Sequence, residues 1–189
     1  MKFAKGSTTA CKLTKYAHIA ENAARIIELT NFGMANSTVK PYQIKKSRDK
    51  MLEIIKRGCN EERPIFSVDT EINHFPSNAK NVVPIEGFYD VATHGSPTFV
   101  EFFGEKIDAY TLSYIIRNRS DYKLGTKIRL LSCSTGDITE TGNCVGQLLA
   151  NELGVIVIAP TDILYVNYNG ELKIGKSNDG EFKPFYPRK

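Results

Sequence analysis

The sequence contains no tryptophan, only three histidines, and no apolar run that approaches the roughly 20 residues of a membrane-spanning helix. We therefore expect no membrane span. Residues 1–13 are polar and lack the apolar stretch of a signal peptide, so any export signal is expected to lie outside this chain. The spacing of the four cysteines matches no metal knuckle, and a chain of this length needs no disulfide scaffold, so reduced thiols are expected.

The charge balance is mild, with 25 basic and 21 acidic side chains and a net charge of +4 concentrated near the ends. No basic block or aromatic-basic array accompanies this excess, which argues against nucleic acid as a partner. A hydrophobic fraction of 41% is enough to fill a sizeable core. The length suits one domain, or one domain with a helical extension.

The first part of the chain is predicted to be mainly helical. Helical periodicity covers residues 16–29 and residues 47–56, with Gly58 as the stop of the second helix, and a short strand is predicted over residues 65–72. We divide the chain into an N-terminal helical extension, residues 1–80, and an α/β core, residues 81–189.

The core alternates strand and helix signals. Strands are predicted at 88–92, 127–132 and 155–159, helices at 112–119 and 143–153, and hairpins at 98–107 and 163–174. This order predicts a mostly parallel sheet flanked by helices. The uninterrupted apolar run at residues 155–158 is typical of a strand covered on both faces. The C-terminal hairpin is predicted to turn at Asn169-Gly170.

Three residue types with reactive or charged side chains follow the three strands. His94, Cys133 and Asp162 each come directly after a strand, at the carboxyl ends where open parallel sheets place their sites. A cysteine nucleophile needs a neighbouring base, and an adjacent strand end can supply one. Backbone amides near Gly95 and Ser132-Cys133 are candidates for stabilising an oxyanion.

Simpler interpretations compete with each candidate. A single histidine after a strand is commonly a structural hydrogen-bonding residue, and a cysteine after an apolar strand is commonly a small buried hydrophobe. The joint placement of His94 and Cys133 favours a functional pair. Asp162 has an equally simple role in closing a turn, and Cys144, at the start of a helix, is expected to serve packing.

The His94-Gly95 and Ser132-Cys133 pairs, with Gly136 nearby, resemble the caspase, clostripain, gingipain and toxin-autoprocessing clan of cysteine peptidases. The blocks 128–136, 148–155 and 159–162 also resemble C-terminal effector domains of bacterial polymorphic toxins of the Rhs or contact-dependent-inhibition type. The resemblance covers residues 85–175. Caspases usually have alanine where this chain has Ser132, and their arginine-based pocket for aspartate has no counterpart, so substrate preference does not carry over.

The resemblance implies a caspase-like fold and a secreted effector that acts as a thiol protease, or a related thiol acyl-transfer hydrolase, in bacterial competition. Cys133 would attack a carbonyl carbon and His94 would protonate the leaving amine, with no metal or organic cofactor. The substrate would be a protein or peptide, held in a pocket near Asp162, Thr161 and Ser134.

Such domains are delivered within a larger toxin, act in the cytoplasm of the target cell, and have a cognate immunity protein. Two alternatives stay open: a toxin that attacks nucleic acid or a nucleotide, and a non-catalytic interaction module.

Overall fold

The computed structural model describes residues 41–60 and 78–188. The helix expected at residues 16–29, the strand expected at 65–72, and Cys11 lie outside the described residues. The chain divides between Glu53 and Ile54 into two units, and the second contains the described strands. No helix within 41–60 or 78–188 combines the length and apolar character that crossing a bilayer requires.

Three helices and eight strands lie with both ends inside the described ranges, and Asn78 and Ala79 are also helical. The helices are α1 (Pro41–Asn60), α2 (Ala109–Arg117) and α3 (Val145–Leu153). The strands are β1 (Phe88–Ala92), β2 (Val100–Phe102), β3 (Glu105–Ile107), β4 (Lys127–Leu131), β5 (Val157–Pro160), β6 (Leu164–Val166), β7 (Leu172–Ile174) and β8 (Phe182–Phe185).

Helix α1 is longer than predicted and runs two residues past Gly58. Its last turns bring Ile54 and Ile55 into the core of the second unit, where both are buried. The Arg57 guanidinium lies 3.9 Å from the centroid of the Phe103 ring, an attractive cation–π contact. These contacts explain why the helix continues through a residue that normally weakens helices.

The central sheet has the strand order β1-β4-β5-β8. Strands β1, β4 and β5 are parallel, as predicted, and β8 pairs antiparallel with β5 at the edge. The molecule is therefore a mixed α/β fold with a mostly parallel sheet flanked by helices. Strand β8 was not predicted, because Pro184 and Lys183 interrupt its apolar character; an edge strand tolerates proline since one side of its backbone needs no partner.

Helices α2 and α3 pack against each other, and α3 also packs on β5 and β8. Helix α2 begins three residues earlier than predicted, because the Asp108 carboxylate accepts a hydrogen bond from the Thr111 amide at 2.8 Å and caps the first turn. Helix α3 ends at Gly154 in the left-handed conformation, φ 68°, which confirms the predicted stop.

Both predicted hairpins form, as the separate two-stranded sheets β2-β3 and β6-β7. The β6-β7 connection is a loop of residues 167–171 rather than a two-residue turn at Asn169-Gly170. The Asn167 side-chain oxygen accepts the amides of Asn169 and Glu171, each at 2.9 Å, and so organises this loop.

An apolar cluster lies on the face of the sheet that carries Ala92 and Leu131, which are cross-strand partners. The hairpin β6-β7 contributes three of its side chains, and the segment 78–83 contributes two more. The cluster consists of Ala79, Val82, Ala92, Leu131, Leu164, Val166 and Ile174, with Cys133, Leu172 and Phe182 packed against it.

Candidate functional site

His94 and Cys133 follow two strands that are parallel neighbours in the sheet. The last registered pair of β1 and β4 is Ala92 opposite Leu131, and the Thr93 amide continues the ladder to the Leu131 carbonyl at 3.2 Å. Cys133 packs against the cluster on the face that carries Ala92 and Leu131, and continuing the register by two residues pairs position 94 with position 133. Neighbouring strands lie about 4.8 Å apart, which puts the two residues side by side at the carboxyl edge of the sheet.

Asp162 occupies the corresponding position after β5. Strands β4 and β5 pair with Arg129 opposite Ile158, and continuing this register by four residues brings Asp162 opposite Cys133. Two hydrogen bonds hold the strand ends together beyond the ladder: the Ser134 amide donates to the Asp162 carbonyl at 3.0 Å, and the Gly136 amide donates to the Pro160 carbonyl at 2.8 Å. The row therefore runs His94, Cys133, Asp162.

The backbone at Gly95 lies against the segment that carries Cys133. A Cβ atom at Gly95 would overlap the Ser132 hydroxyl, approach Thr135 Cγ2 to 2.8 Å and lie 3.3 Å from the Cys133 carbonyl oxygen. Ser132 is fully buried, and its hydroxyl has no hydrogen-bond partner within the described chain. Only glycine allows this close approach, so Gly95 fixes the spacing of the two strand ends.

The backbone of His94 is held by the hairpin β2-β3. The Glu101 amide donates to the His94 carbonyl at 2.8 Å, and the Thr93 hydroxyl donates to the Glu101 carbonyl. His94 is half-buried, and its Nε2 atom is buried. The hairpin between β1 and α2 therefore holds the backbone at His94, a contribution that the sequence did not indicate.

Cys133 is half-buried, and its thiol donates to the Leu164 carbonyl with Sγ and oxygen 3.7 Å apart. Burial raises the pKa of the Cys133 thiol because it disfavours the thiolate. Hydrogen bonding to the backbone at Leu164 and at Cys133 itself lowers the pKa in part, and the negative charge of Asp162 raises it further. The thiol is therefore protonated at neutral pH in this conformation.

The three predicted pocket residues have different environments. Ser134 adopts a left-handed backbone conformation, φ 53°, and is tied to β5 by its amide. Asp162 is exposed, and one carboxylate oxygen accepts the Ile163 amide at 2.6 Å, which is the turn-closing contact. The Thr161 hydroxyl accepts the Glu181 amide at 3.1 Å and so serves the junction with β8. Of the three, Ser134 and Asp162 adjoin Cys133.

The cysteines that the structure describes, Cys59, Cys133 and Cys144, carry thiols rather than disulfides. Cys144 is buried at the N-cap of α3, in agreement with a packing role. Its pKa is raised by burial, and the amides of Gln147 and Gly146 lower it in part. The Val145 amide donates to the Pro97 carbonyl and the Gly146 amide to the Thr135 carbonyl, each at 2.8 Å, so the start of α3 lies against the segments that follow His94 and Cys133.

The fold and these strand ends define an α/β domain with a thiol, an imidazole and a carboxylate at the carboxyl edge of a mostly parallel sheet. Residues 64–174, more than half of the chain, match the model of DUF8616, a domain of unknown function, and the chain belongs to this family. The matched region includes the complete row from His94 to Asp162.

A further relative is the uncharacterized protein YibJ of Escherichia coli (strain K12), which is 31% identical over 83 residues. The matched stretch covers 39% of this chain and 36% of YibJ, so this chain spans little more than a third of that protein. No solved structure matches the chain.

Proposed function

We propose that this domain is a cysteine peptidase, or a related thiol acyl-transfer hydrolase, of caspase-like architecture. Cys133 is the nucleophile and His94 is the general acid and base. The observation that carries the proposal is the parallel pairing of β1 with β4, whose register brings these two residues side by side at one edge of the sheet. Open parallel sheets place their sites at this edge.

In the proposed reaction, the Cys133 sulfur attacks a substrate carbonyl carbon while the thiol proton passes to His94. The tetrahedral intermediate then collapses as His94 returns that proton to the leaving amine, which leaves a thioester on Cys133. A water molecule gives a proton to His94 and attacks the thioester, and the carboxylic acid product departs as the thiol is regenerated. Because the resting thiol is protonated, proton transfer accompanies the attack instead of preceding it.

The oxyanion of this intermediate needs backbone donors. The amides of Ser96, Ser134 and Gly136 already donate to the carbonyls of Phe99, Asp162 and Pro160. We take the amides of Gly95 and Cys133, which flank the proposed dyad, as the candidate donors. Ser132 supports them indirectly, because its buried hydroxyl sets how closely Gly95 approaches the strand end.

We further propose that the enzyme is a toxin effector domain with a protein or peptide substrate and a cognate immunity protein. The support is the resemblance of the blocks 128–136, 148–155 and 159–162 to polymorphic-toxin effectors. Such a domain is delivered as part of a larger secreted protein and acts in the cytoplasm of a target cell.

The exposed carboxylate of Asp162 suits a cationic substrate side chain. It lies opposite Cys133 in register and accepts one local hydrogen bond, so a second oxygen remains to pair with an arginine or lysine of the substrate. Ser134 adjoins this position, whereas the Thr161 hydroxyl is engaged at β8.

One observation favours a second candidate, a non-catalytic interaction module. Cys133 packs against an apolar cluster and its thiol is protonated, as expected for a cysteine that serves only packing. This candidate predicts that Cys133→Ala leaves every activity of the domain intact.

Inducible expression in bacteria tests the proposal. The domain is expected to slow growth, and Cys133→Ala and His94→Ala are each expected to restore it. Cys59→Ala and His74→Ala are the matched controls and should stay as toxic as the parent. Full toxicity of both Cys133→Ala and His94→Ala would refute the mechanism.

Purified protein and a panel of fluorogenic peptides test the pocket. Peptides that differ only at the residue before the cleaved bond should be cleaved best with arginine or lysine there, and Asp162→Asn should remove that preference. A charge-assisted pair contributes about 1.5–3 kcal/mol, so the preference should fall tenfold or more. Equal cleavage of apolar and basic peptides would rule the pocket out.

A further inference from the structure

The hairpin β6-β7 lies over the strand end that carries Cys133. The Leu164 carbonyl accepts the Cys133 thiol, and Leu164, Val166 and Ile174 form the apolar cluster against which Cys133 packs. A substrate carbonyl that approaches the sulfur from this side of the sheet meets the hairpin first.

The hairpin is not part of the central sheet. Its two strands, three residues each, pair only with each other among the described strands. An isolated two-stranded hairpin is marginally stable in water, so the position of β6-β7 depends on what holds it to the rest of the domain.

Two asparagines form hydrogen bonds to the hairpin, in addition to its apolar contacts with the sheet. They belong to the segment 78–83, which we call the strap. The Asn78 side-chain amide donates to the Val166 carbonyl at 3.1 Å, and the Asn81 side-chain amide donates to the Tyr168 carbonyl at 2.8 Å. The hairpin loop also sits on the strap backbone, because a Cβ at Gly170 would overlap the Asn81 carbonyl.

The strap is itself fixed to the sheet. The Val83 carbonyl accepts a hydrogen bond from Arg129 at 2.9 Å, and the Arg129 guanidinium pairs with Asp90 on the neighbouring strand. The strap thus has an anchor on β4, whereas the hairpin is attached to the strap mainly through neutral hydrogen bonds and apolar contacts. The burial of Leu164, Val166 and Ile174 in the apolar cluster adds to these hydrogen bonds in holding the hairpin.

We infer that the β6-β7 hairpin is a hinged cover over Cys133, held closed by Asn78 and Asn81, that must lift before the thiol meets a substrate carbonyl. The inference rests on the proposed function for the role of Cys133 as nucleophile. Lifting the hairpin removes the Leu164 carbonyl and the apolar side chains from the thiol, so the covered state is inactive and the opened state is reactive.

The test measures how fast iodoacetamide labels Cys133 in the full chain at a fixed pH, by peptide mapping. In Asn78→Ala/Asn81→Ala the rate should rise, because each neutral hydrogen bond lost increases the open population about fivefold, and both together about thirtyfold. Cys144 serves as an internal standard, since it is buried at the start of α3, and its rate should not change.

Asn118→Ala is the matched control. Its side-chain amide donates to the Tyr114 carbonyl at 2.9 Å, so the variant loses a similar hydrogen bond away from the hairpin, and Cys133 labelling should stay at the parent rate. An unchanged rate in the double variant would overturn the inference. So would an equal rise for Cys144, or an equal rise in Asn118→Ala, since both indicate loosening of the whole domain.

Hydrogen exchange provides a second measurement that does not involve the cysteine. Amides of residues 164–174 should exchange faster in the double variant, while those of α3 should not; parallel acceleration of both would also overturn the inference. Neither readout requires peptidase activity. If Cys133 labels faster in the double variant as expected, but Cys133→Ala is still fully toxic, the cover is supported and the proposed catalytic mechanism is refuted.

Discussion

The ion pair between Arg129 and Asp90 supports a sharp prediction about stability. The two residues are cross-strand partners on β4 and β1, and the Arg129 Nε donates to Asp90 Oδ1 at 2.7 Å. The Arg129 side chain is 4% exposed and that of Asp90 is 24% exposed. Asp90→Ala therefore leaves a buried guanidinium with the Val83 carbonyl but without its counter-charge.

Removing one partner of a buried pair costs about 3–5 kcal/mol, because the remaining charge is desolvated without compensation. Asp90 is partly exposed, so some water reaches the guanidinium, and we expect a loss at the lower end, about 3 kcal/mol. The double variant Asp90→Ala/Arg129→Met removes both charges and keeps an apolar side chain of similar length. It should be less destabilised than the single variant, by about 1 kcal/mol or more.

Urea denaturation followed by far-UV circular dichroism measures these differences, since the chain has no tryptophan for fluorescence. Asp137→Ala, at an exposed carboxylate, is the control and should stay within about 0.5 kcal/mol of the parent. A loss below about 1 kcal/mol for Asp90→Ala, or a double variant less stable than the single one, would refute the reasoning.

Three further predictions concern the strand ends. Asp162→Asn removes a negative charge that raises the pKa of Cys133, so the pKa should fall and labelling by iodoacetamide at pH 8 should accelerate severalfold; an unchanged rate contradicts this. Gly95→Ala should destabilise the domain by about 1–3 kcal/mol in urea, and Ser132→Gly in the same chain should recover part of the loss, because the overlapping hydroxyl is gone. The raised pKa of Cys133 contributes stability that is present below the ordinary thiol pKa of about 8.5 and is lost as pH rises through the raised value, so urea midpoints should fall less steeply with pH in Cys133→Ala than in the parent.

Local periodicity was enough to predict the elements that carry the site. In β4 and α3, the apolar residues in the sequence recur at the spacing of the side chains that the structure buries. Gly154 ends α3 at the predicted position. Strand β8 has no such pattern. It forms because its backbone pairs with β5, about 25 positions earlier in the chain, a non-local contact that composition does not reveal.

In the candidate site, too, some features could be predicted from local sequence and others depend on contacts between distant residues. His94 and Cys133 could be singled out because carboxyl ends of parallel strands meet at one edge, whatever the details of packing. The cover over Cys133 could not be predicted from the sequence. The cover depends on hydrogen bonds from Asn78 to Val166 and from Asn81 to Tyr168, partners that lie more than 80 positions later in the chain. An asparagine before a strand usually indicates only a turn.

The order of the row bears on how the proposed dyad would act. A carboxylate that orients a histidine must lie on the side of the imidazole away from the nucleophile. Asp162 lies on the other side of Cys133, where its charge opposes thiolate formation. Within residues 78–188, β1 is the edge of the central sheet.

In the proposed mechanism the β2-β3 hairpin holds the backbone at His94 through the bond from the Glu101 amide to the His94 carbonyl. Asp162 is then available to the substrate. A cationic substrate side chain that neutralises Asp162 would also offset the negative charge that adds to the effect of burial in raising the pKa of Cys133, so binding the preferred substrate would itself favour the thiolate. In the proposed mechanism, reactivity would thus rise only where the cover has lifted and a cationic substrate side chain has bound.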